Sequence, residues 1–150
     1  MKVFKFGGAS VKDPAGIRNL VKITGKGKGD LAIVISAFGK TTNALEILLR
    51  SWLSGDNNFR DHMDNIYLYH SSVAEELFPE GNSAKGKIDN SFSKLREYLS
   101  KSGRGSYDYE YDQIVSYGEL WSTIIVAEYL NKTGIKAEWI DIRGNLVTDD

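Results

Sequence analysis

Hydrophobic residues form two kinds of pattern at the start of the chain, short continuous runs and a helically spaced stripe. Residues 3–6 and 31–35 are short runs, and the second is rich in β-branched residues, as in a strand covered on both faces of a parallel sheet. The stripe between them recurs at helical spacing and consists of Ile17, Leu20 and Val21. It follows Asp13 and Pro14, an N-cap acid and a proline at the first helical position. These residues predict a right-handed strand–helix–strand unit.

Four longer segments have the periodicity of helices. They cover residues 43–53, 59–78, 84–100 and 112–132. Asn43 is predicted to cap the first of them, with Glu46 three residues on, close to a capping box. An apolar stripe runs along the third and is made of Ile88, Phe92, Leu95 and Leu99. The fourth is predicted to end at Gly134, which would serve as its C-terminal cap.

Short strands are predicted again near the end of the chain. Residues 137–140 have the pattern of a strand, and Leu146 and Val147 are predicted to begin another. The fold class is therefore α/β, with a helical insert between the second and third strands.

Composition excludes several classes of function. With 150 residues and 41% hydrophobic content, the chain suits one globular domain with a core. Its 19 Lys and Arg against 20 Asp and Glu do not indicate a general attraction to nucleic acid or acidic membranes. Cysteine is absent, which excludes a disulfide framework and a thiolate zinc site. No run approaches the roughly 18 apolar residues of a membrane span, so we expect a soluble, cytoplasmic protein.

The stretch KFGGAS, residues 5–10, places a lysine in an apolar strand that leads into two glycines. If Lys5 lies at the carboxyl edge of the sheet, where open α/β sheets bind ligands, an anion could satisfy its charge. Gly7 and Gly8 would let backbone N–H groups approach phosphate oxygens. The alternative is an exposed lysine on an edge strand, followed by a flexible turn. The first strand is expected inside the sheet, where an unpaired ammonium is costly, and this gives the phosphate site equal weight with the alternative.

A second candidate, ISAFGKTTNALE at residues 35–46, also lies between a strand and a helix and therefore at the same edge. The GKT at residues 39–41 mimics the end of a Walker A loop, but that motif requires glycine where Val34 stands. What remains is a group of small donors: Ser36, Gly39, Thr41, Thr42 and Asn43. They could bind a ligand, and the alternative is that Thr42 or Asn43 simply caps the helix.

A third candidate is Glu119, which follows Gly118 in the last long helix. Gly118 lies on an apolar helix face, so another backbone could pack closely there. Glu119 borders apolar surface, and a partly buried carboxylate needs a cation, either a substrate amino group or a protein lysine. The two histidines, His62 and His70, are predicted to be surface or packing residues rather than a metal site. The acidic, tyrosine-rich run at residues 107–112 is predicted to be a solvated loop, with a lid or partner surface as the alternative.

Together these stretches resemble the catalytic domain of the aspartokinases. The motifs are, in order, KFGGAS, VISAFGKTTN, DQIVSYGE and the final WIDIRGNLVTDD, and they span nearly the whole chain. The resemblance implies the fold of the amino acid kinase superfamily, an αβα sandwich around a mostly parallel sheet. It also implies transfer of the γ-phosphoryl group of MgATP to the side-chain carboxylate of L-aspartate. That reaction begins lysine, threonine and methionine biosynthesis, and the full-length enzymes are expected to be homo-oligomers.

The resemblance also implies roles for single residues. Lys5 would neutralise charge at the phosphoryl group. Gly7, Gly8 and Ser10 would bind phosphate. Ser36, Thr42 and Glu119 would bind the substrate. Glu119 would hold the amino group of aspartate, and Mg²⁺ would be held mainly through the phosphates of ATP. Asp141 and Arg143 belong to the motif without an assigned role, and Ala9 stands where threonine is commoner.

Residues 1–150 are expected to form the N-terminal portion of such a catalytic domain, which continues in the family beyond Asp150. The remainder would bring the adenine-binding elements and a second phosphate-binding lysine, followed by ACT domains and, in some relatives, a homoserine dehydrogenase. We therefore expect the isolated chain to be inactive. One alternative is a related kinase with another acceptor, such as glutamate or a carbamate-like substrate. Another is a non-catalytic module that binds aspartate or pairs with another chain.

Overall fold

The computed structural model describes residues 1–26, 29–80, 83–101 and 105–144. Strands and α-helices alternate at the start of the chain and helices follow. The elements are β1 Lys2–Phe6, α1 Pro14–Thr24, β2 Leu31–Ile35, α2 Thr41–Ser54, α3 Phe59–Leu77, α4 Ser83–Ser100, α5 Tyr107–Val115 and α6 Tyr117–Lys132. Short 3-10 turns lie at Gly8–Ser10 and Ile142–Gly144. The predicted strand start at Leu146 and Val147 lies outside the described residues. None of the helices in the described ranges is both long and apolar enough to span a bilayer.

The two strands pair in parallel, with Lys2 opposite Leu31 and Phe6 opposite Ile35. Phe6 packs against the core and Ile35 is buried in it, whereas Val3 is 61% exposed and Val34 is 51% exposed. Side chains alternate between the two faces of a sheet, so one face is packed and the other is open among the described residues. The prediction that β2 is covered on both faces is wrong for this part of the chain, because no described element lies over Val34.

Most of the core lies among the helices. Helix α2 packs on α3 and α5, and α4 packs on α6 and α3. The predicted stripe on α4 is buried, which confirms it: Ile88, Phe92, Leu95 and Leu99. Phe92 stacks on Trp121 of α6, with ring centroids 3.8 Å apart.

The first helix begins as predicted and the second does not. Asp13 caps α1, since its Oδ1 accepts a hydrogen bond from the Gly16 N–H at 2.8 Å. Helix α2 begins at Thr41, so Asn43 lies within the helix and the predicted capping box is wrong. The helix begins earlier because the chain turns at Gly39, where φ is +53°, and the Thr41 hydroxyl and N–H both donate to the Phe38 carbonyl.

The predicted helix over residues 112–132 is divided at Ser116 into α5 and α6. Helix α5 includes the acidic tyrosine-rich run, so the prediction of a solvated loop there is wrong. The reason is Glu110, which is buried and accepts hydrogen bonds from the Tyr98 hydroxyl at 2.7 Å and the Gly105 N–H at 2.5 Å. The Tyr98 bond links α5 to α4, and α5 packs mainly on α2.

Residues 137–140 form no strand, which corrects the prediction made from their pattern. The Ala137 N–H donates to Asn131 Oδ1 at 3.0 Å, and Asn131 Nδ2 donates to the Ala137 carbonyl at 2.9 Å. A side chain of α6 therefore takes the hydrogen bonds that a neighbouring strand would make. Gly134 ends α6 as predicted, with φ at +85° and its N–H donating to the Asn131 carbonyl at 3.1 Å.

Candidate active site

Three segments that are distant in the sequence meet beyond the carboxyl ends of β1 and β2. The Gly39 N–H donates to the Gly8 carbonyl at 3.0 Å, which joins the loop after β2 to the loop after β1. The Ala37 N–H donates to Glu119 Oε1 at 3.2 Å, which joins the loop after β2 to the start of α6. The loops after β1 and β2 thus meet at one edge of the sheet, as predicted, and the start of α6 joins them there.

Two glycines allow this close approach. A Cβ at Gly8 would collide with the Ala37 carbonyl oxygen. A Cβ at Gly118 would lie 2.9 Å from the Ala37 Cβ, closer than side chains tolerate. The predicted close approach at Gly118 is confirmed, but the nearest atoms belong to the side chains of Ala37, Thr41 and Leu45 rather than to another backbone.

Lys5 lies on the open face of the sheet, opposite Val34, and its side chain is exposed. The expectation that β1 lies inside a sheet is wrong within the described residues, because β2 is its one described neighbour. Burial therefore does not demand an anion at Lys5 here. Gly7, two residues further on, has no atom within 4 Å of the place where a Cβ would stand, so its backbone faces open space.

The remaining predicted ligand contacts surround the same junction. Ser36 is half-buried, and its N–H donates to the Phe6 carbonyl at 3.0 Å. Ser10 is exposed at the end of the first 3-10 turn. Thr42 is half-buried in the first turn of α2, where a helix has N–H groups without intrahelical partners. This helix start and the exposed ammonium of Lys5 favour an anionic ligand.

Glu119 is exposed, which corrects the expectation that it is partly buried. Within the described ranges it forms no ion pair with a protein cation, so the internal salt bridge considered as its alternative role is not found there. One of its oxygens accepts the Ala37 N–H and lies next to the loop that carries Ser36. A carboxylate in this position can accept further hydrogen bonds, for example from an ammonium group.

His70 is a packing residue, one of the two roles predicted for it, but its place beside the candidate site was not predicted. The residue is fully buried, and its ring packs against Phe38, Tyr69, Phe92 and Trp121. Nδ1 lies 2.8 Å from the Ile66 carbonyl, which can only accept, so Nδ1 carries the proton. Burial lowers the pKa of His70 to about 4, and the ring is neutral at pH 7.

Tyr69 is a second residue at the junction that sequence analysis missed. Its hydroxyl donates to the Lys12 carbonyl and lies beside Gly39, so it contacts both loops. Tyr69 stands on α3, far along the chain from either loop, and no local pattern indicates such a contact. The available signal was its place beside His70, which lies on the helix face that is buried at Ile66, Val73 and Leu77.

Known proteins resemble the chain in sequence and in fold. The model of the amino acid kinase family matches residues 1–149. Bifunctional aspartokinase/homoserine dehydrogenase 2, chloroplastic, of Arabidopsis thaliana is 27% identical over 98% of the chain. Lysine-sensitive aspartokinase 3 of Escherichia coli is 28% identical over 99% of it. The crystal structure of E. coli aspartokinase III in complex with aspartate and ADP superimposes with a TM-score of 0.80, at 26% identity over 95% of the chain.

The chain spans a small part of these relatives. It covers 17% of the Arabidopsis protein and 32% of the E. coli enzyme. In the solved structure with aspartate and ADP, it corresponds to 31% of the crystallised chain.

Proposed function

The chain belongs to the amino acid kinase family, and from this premise we propose that it serves phosphoryl transfer from MgATP to the side-chain carboxylate of L-aspartate. The product of that transfer is 4-phospho-L-aspartate. One observation carries the proposal: Glu119 binds the Ala37 N–H at 3.2 Å, within a junction that also contains Gly8 and the start of α2. An exposed carboxylate beside groups suited to anions matches an amino acid substrate and a nucleotide.

The phosphate side of the site consists of the loop after β1. Lys5 neutralises negative charge on the transferring phosphoryl group, and its exposed position leaves the ammonium accessible to a ligand. The backbones of Gly7 and Gly8, with Ser10, bind phosphate oxygens, and Gly7 leaves room for their approach. When bound, Mg²⁺ neutralises phosphate charge and is held mainly through the phosphates themselves.

The substrate side consists of the loop after β2 and the start of α6. Glu119 accepts hydrogen bonds from the ammonium group of aspartate, while Ser36 and Thr42 donate to its carboxylates. The N-terminus of α2 adds favourable electrostatics for the carboxylate that is phosphorylated. Support comes from a relative, since the similar E. coli structure was crystallised with aspartate and ADP.

We further propose that residues 1–150 form the N-terminal portion of a catalytic domain. Two observations support this arrangement: the chain corresponds to 31% of the similar E. coli chain, and one face of its sheet is open at Val3 and Val34. Parallel sheets are ordinarily covered on both faces. The isolated chain is then expected to bind aspartate and to transfer phosphate poorly or not at all. The predicted cytoplasmic location stays a prediction, since the similar plant proteins are named chloroplastic.

Aspartate binding tests the proposal most directly. Calorimetric titration of the chain with L-aspartate should give a saturable signal that is weakened at least tenfold in Glu119→Gln, about 1.4 kcal/mol. A matched control is Glu75→Gln, because Glu75 also accepts one hydrogen bond at 3.1 Å, from Ser71, but lies on α3. If Glu119→Gln binds L-aspartate as tightly as Glu75→Gln does, Glu119 is not part of the aspartate site.

Phosphoryl transfer is measured by trapping the acyl phosphate with hydroxylamine in the presence of MgATP and L-aspartate, with Lys5→Ala as the control. A signal that vanishes in the variant makes the chain a complete catalyst and contradicts the expectation that it is inactive alone. Binding without transfer fits a partial site or a non-catalytic aspartate-binding module. Competition by L-glutamate at equal affinity would favour the alternative acceptor.

A further inference from the structure

Residues 137–143, which we call the strap, run back along α6 after the turn at Gly134. At the start of the strap, Ala137 exchanges two hydrogen bonds with the side chain of Asn131, at 3.0 and 2.9 Å. Asn131 lies in the last turn of α6. The strap therefore begins at the end of the helix that is far from the candidate site.

The middle of the strap reaches the turn that follows Glu119. Trp139 Nε1 donates to Thr123 Oγ1 at 2.9 Å. The Thr123 hydroxyl in turn donates to the Glu119 carbonyl at 2.6 Å, four residues back along the helix. A chain of two hydrogen bonds thus connects Trp139 to the backbone of Glu119.

The end of the strap contacts the first residue of α6. Arg143 forms a two-pronged ion pair with Asp141, from Nε to Oδ1 at 3.0 Å and from a terminal nitrogen to Oδ2 at 2.8 Å. This pairing lowers the pKa of Asp141 and raises that of Arg143, so both are charged at neutral pH. The guanidinium lies 5.9 Å from the centroid of the Tyr117 ring, within the range of a cation–π contact.

The first turn of α6 has no side-chain cap. Ser116 occupies the N-cap position without a side-chain hydrogen bond to the helix. Helix ends that lack a cap keep unsatisfied N–H groups and open more easily. Glu119 lies in this turn, and its bond to the Ala37 N–H requires the turn to be formed.

We propose that Trp139 and Arg143 are positioning residues for Glu119: the strap holds the first turn of α6 so that the Glu119 carboxylate meets the loop after β2. Asp141 orients Arg143 for this role. The inference rests on the proposed function only where it treats Glu119 as a substrate contact. It gives a structural role to Asp141 and Arg143, the charged residues of the WIDIRG segment.

Amide hydrogen exchange at Ala37, measured by NMR on the full chain, reports whether the bond to Glu119 is formed. Thr123→Val keeps the shape of the side chain and removes the hydroxyl, while Thr123→Ser keeps the hydroxyl. We expect the Ala37 amide to exchange about fivefold faster in Thr123→Val and in Arg143→Ala, the factor that about 1 kcal/mol produces. Thr123→Ser should restore the slow rate.

Arg96→Ala is the matched control for Arg143→Ala. Arg96 also pairs with an aspartate, Asp64 at 2.9 Å, and lies 5.3 Å from the centroid of the Tyr67 ring, but it is on α4. Unchanged exchange at Ala37 in Arg143→Ala overturns the proposal, as does equal acceleration in Arg96→Ala.

Affinity for L-aspartate then tests whether the position of Glu119 also affects substrate binding. If the strap positions Glu119, Arg143→Ala and Thr123→Val should weaken aspartate binding by about the same fivefold factor that appears in the exchange rate. If the Ala37 amide exchanges faster while the affinity for L-aspartate is unchanged, the strap does not position Glu119 for the substrate. If the unmodified chain binds no aspartate, the proposed function fails, whereas the exchange rates still decide whether the strap positions Glu119.

Discussion

In the helical core, Phe92 and Trp121 are fully buried and stack with centroids 3.8 Å apart, whereas in the sheet Val3 and Val34 are 61% and 51% exposed. The candidate site lies where these two regions meet. Its loops follow the strands, yet the contacts that hold them come from the helices, through His70, Tyr69 and Gly118. The comparison indicates that substitutions in the helical core should disturb the site more than substitutions on the open face of the sheet.

Trp121→Ala should produce the largest effect. It removes a buried indole that stacks on Phe92, packs against His70 and donates to Ser91 at 3.0 Å. Loss of a large aromatic side chain from a core costs about 3–5 kcal/mol. Urea denaturation followed by circular dichroism measures the free energy of unfolding, and a loss below about 1 kcal/mol would contradict the view that the helices carry the stability.

Acid should destabilise the chain through His70. Burial lowers the pKa of His70 to about 4 from an ordinary 6.5, so between these pH values the unfolded chain binds a proton that the folded chain does not. The contribution is fully present above pH 6.5 and is lost as pH falls towards 4, by about 3 kcal/mol in total.

The measurement is the free energy of unfolding at a series of pH values between 4 and 7. His70→Phe should flatten this part of the profile, because it keeps an aromatic ring and removes the titrating group. His62→Asn, on the same helix, is the control and should leave the His70 contribution in place. An undiminished slope in His70→Phe would assign the acid sensitivity to other groups.

The same substitution at two valines, one in the helical core and one on the open face of the sheet, tests the comparison with the smallest expected effects. Val126→Thr places a hydroxyl at a fully buried position of α6 and should cost about 1–3 kcal/mol, since a polar group replaces a methyl group in the apolar core. Val34→Thr makes the same chemical change on the open face of the sheet and should stay within about 0.5 kcal/mol. Equal costs would mean that the face at Val34 is covered in solution, for example by a second copy of the chain.

Local patterns predicted most of the elements because local physics decides them. Asp13 and Pro14 start α1 through a cap and a preset backbone angle, and the α4 stripe is buried because its apolar residues share one helix face. The errors fall where hydrogen bonds from particular side chains override the pattern. Asn131 exchanges two hydrogen bonds with Ala137 where a neighbouring strand was expected, and Ser106 caps α5, in which Glu110 is buried.

The sequence by itself determined the β–α–β start, the helical insert, the family resemblance and the three segments that contain the candidate ligand contacts. That the third segment, at the start of α6, meets the other two was decided by tertiary structure alone. The Ala37 N–H reaches Glu119 across 82 residues of chain, and Tyr69 and His70 support the loops from a helix with no motif. Periodicity and caps act within one or two turns, whereas packing at Gly8 and Gly118 depends on which backbones approach each other.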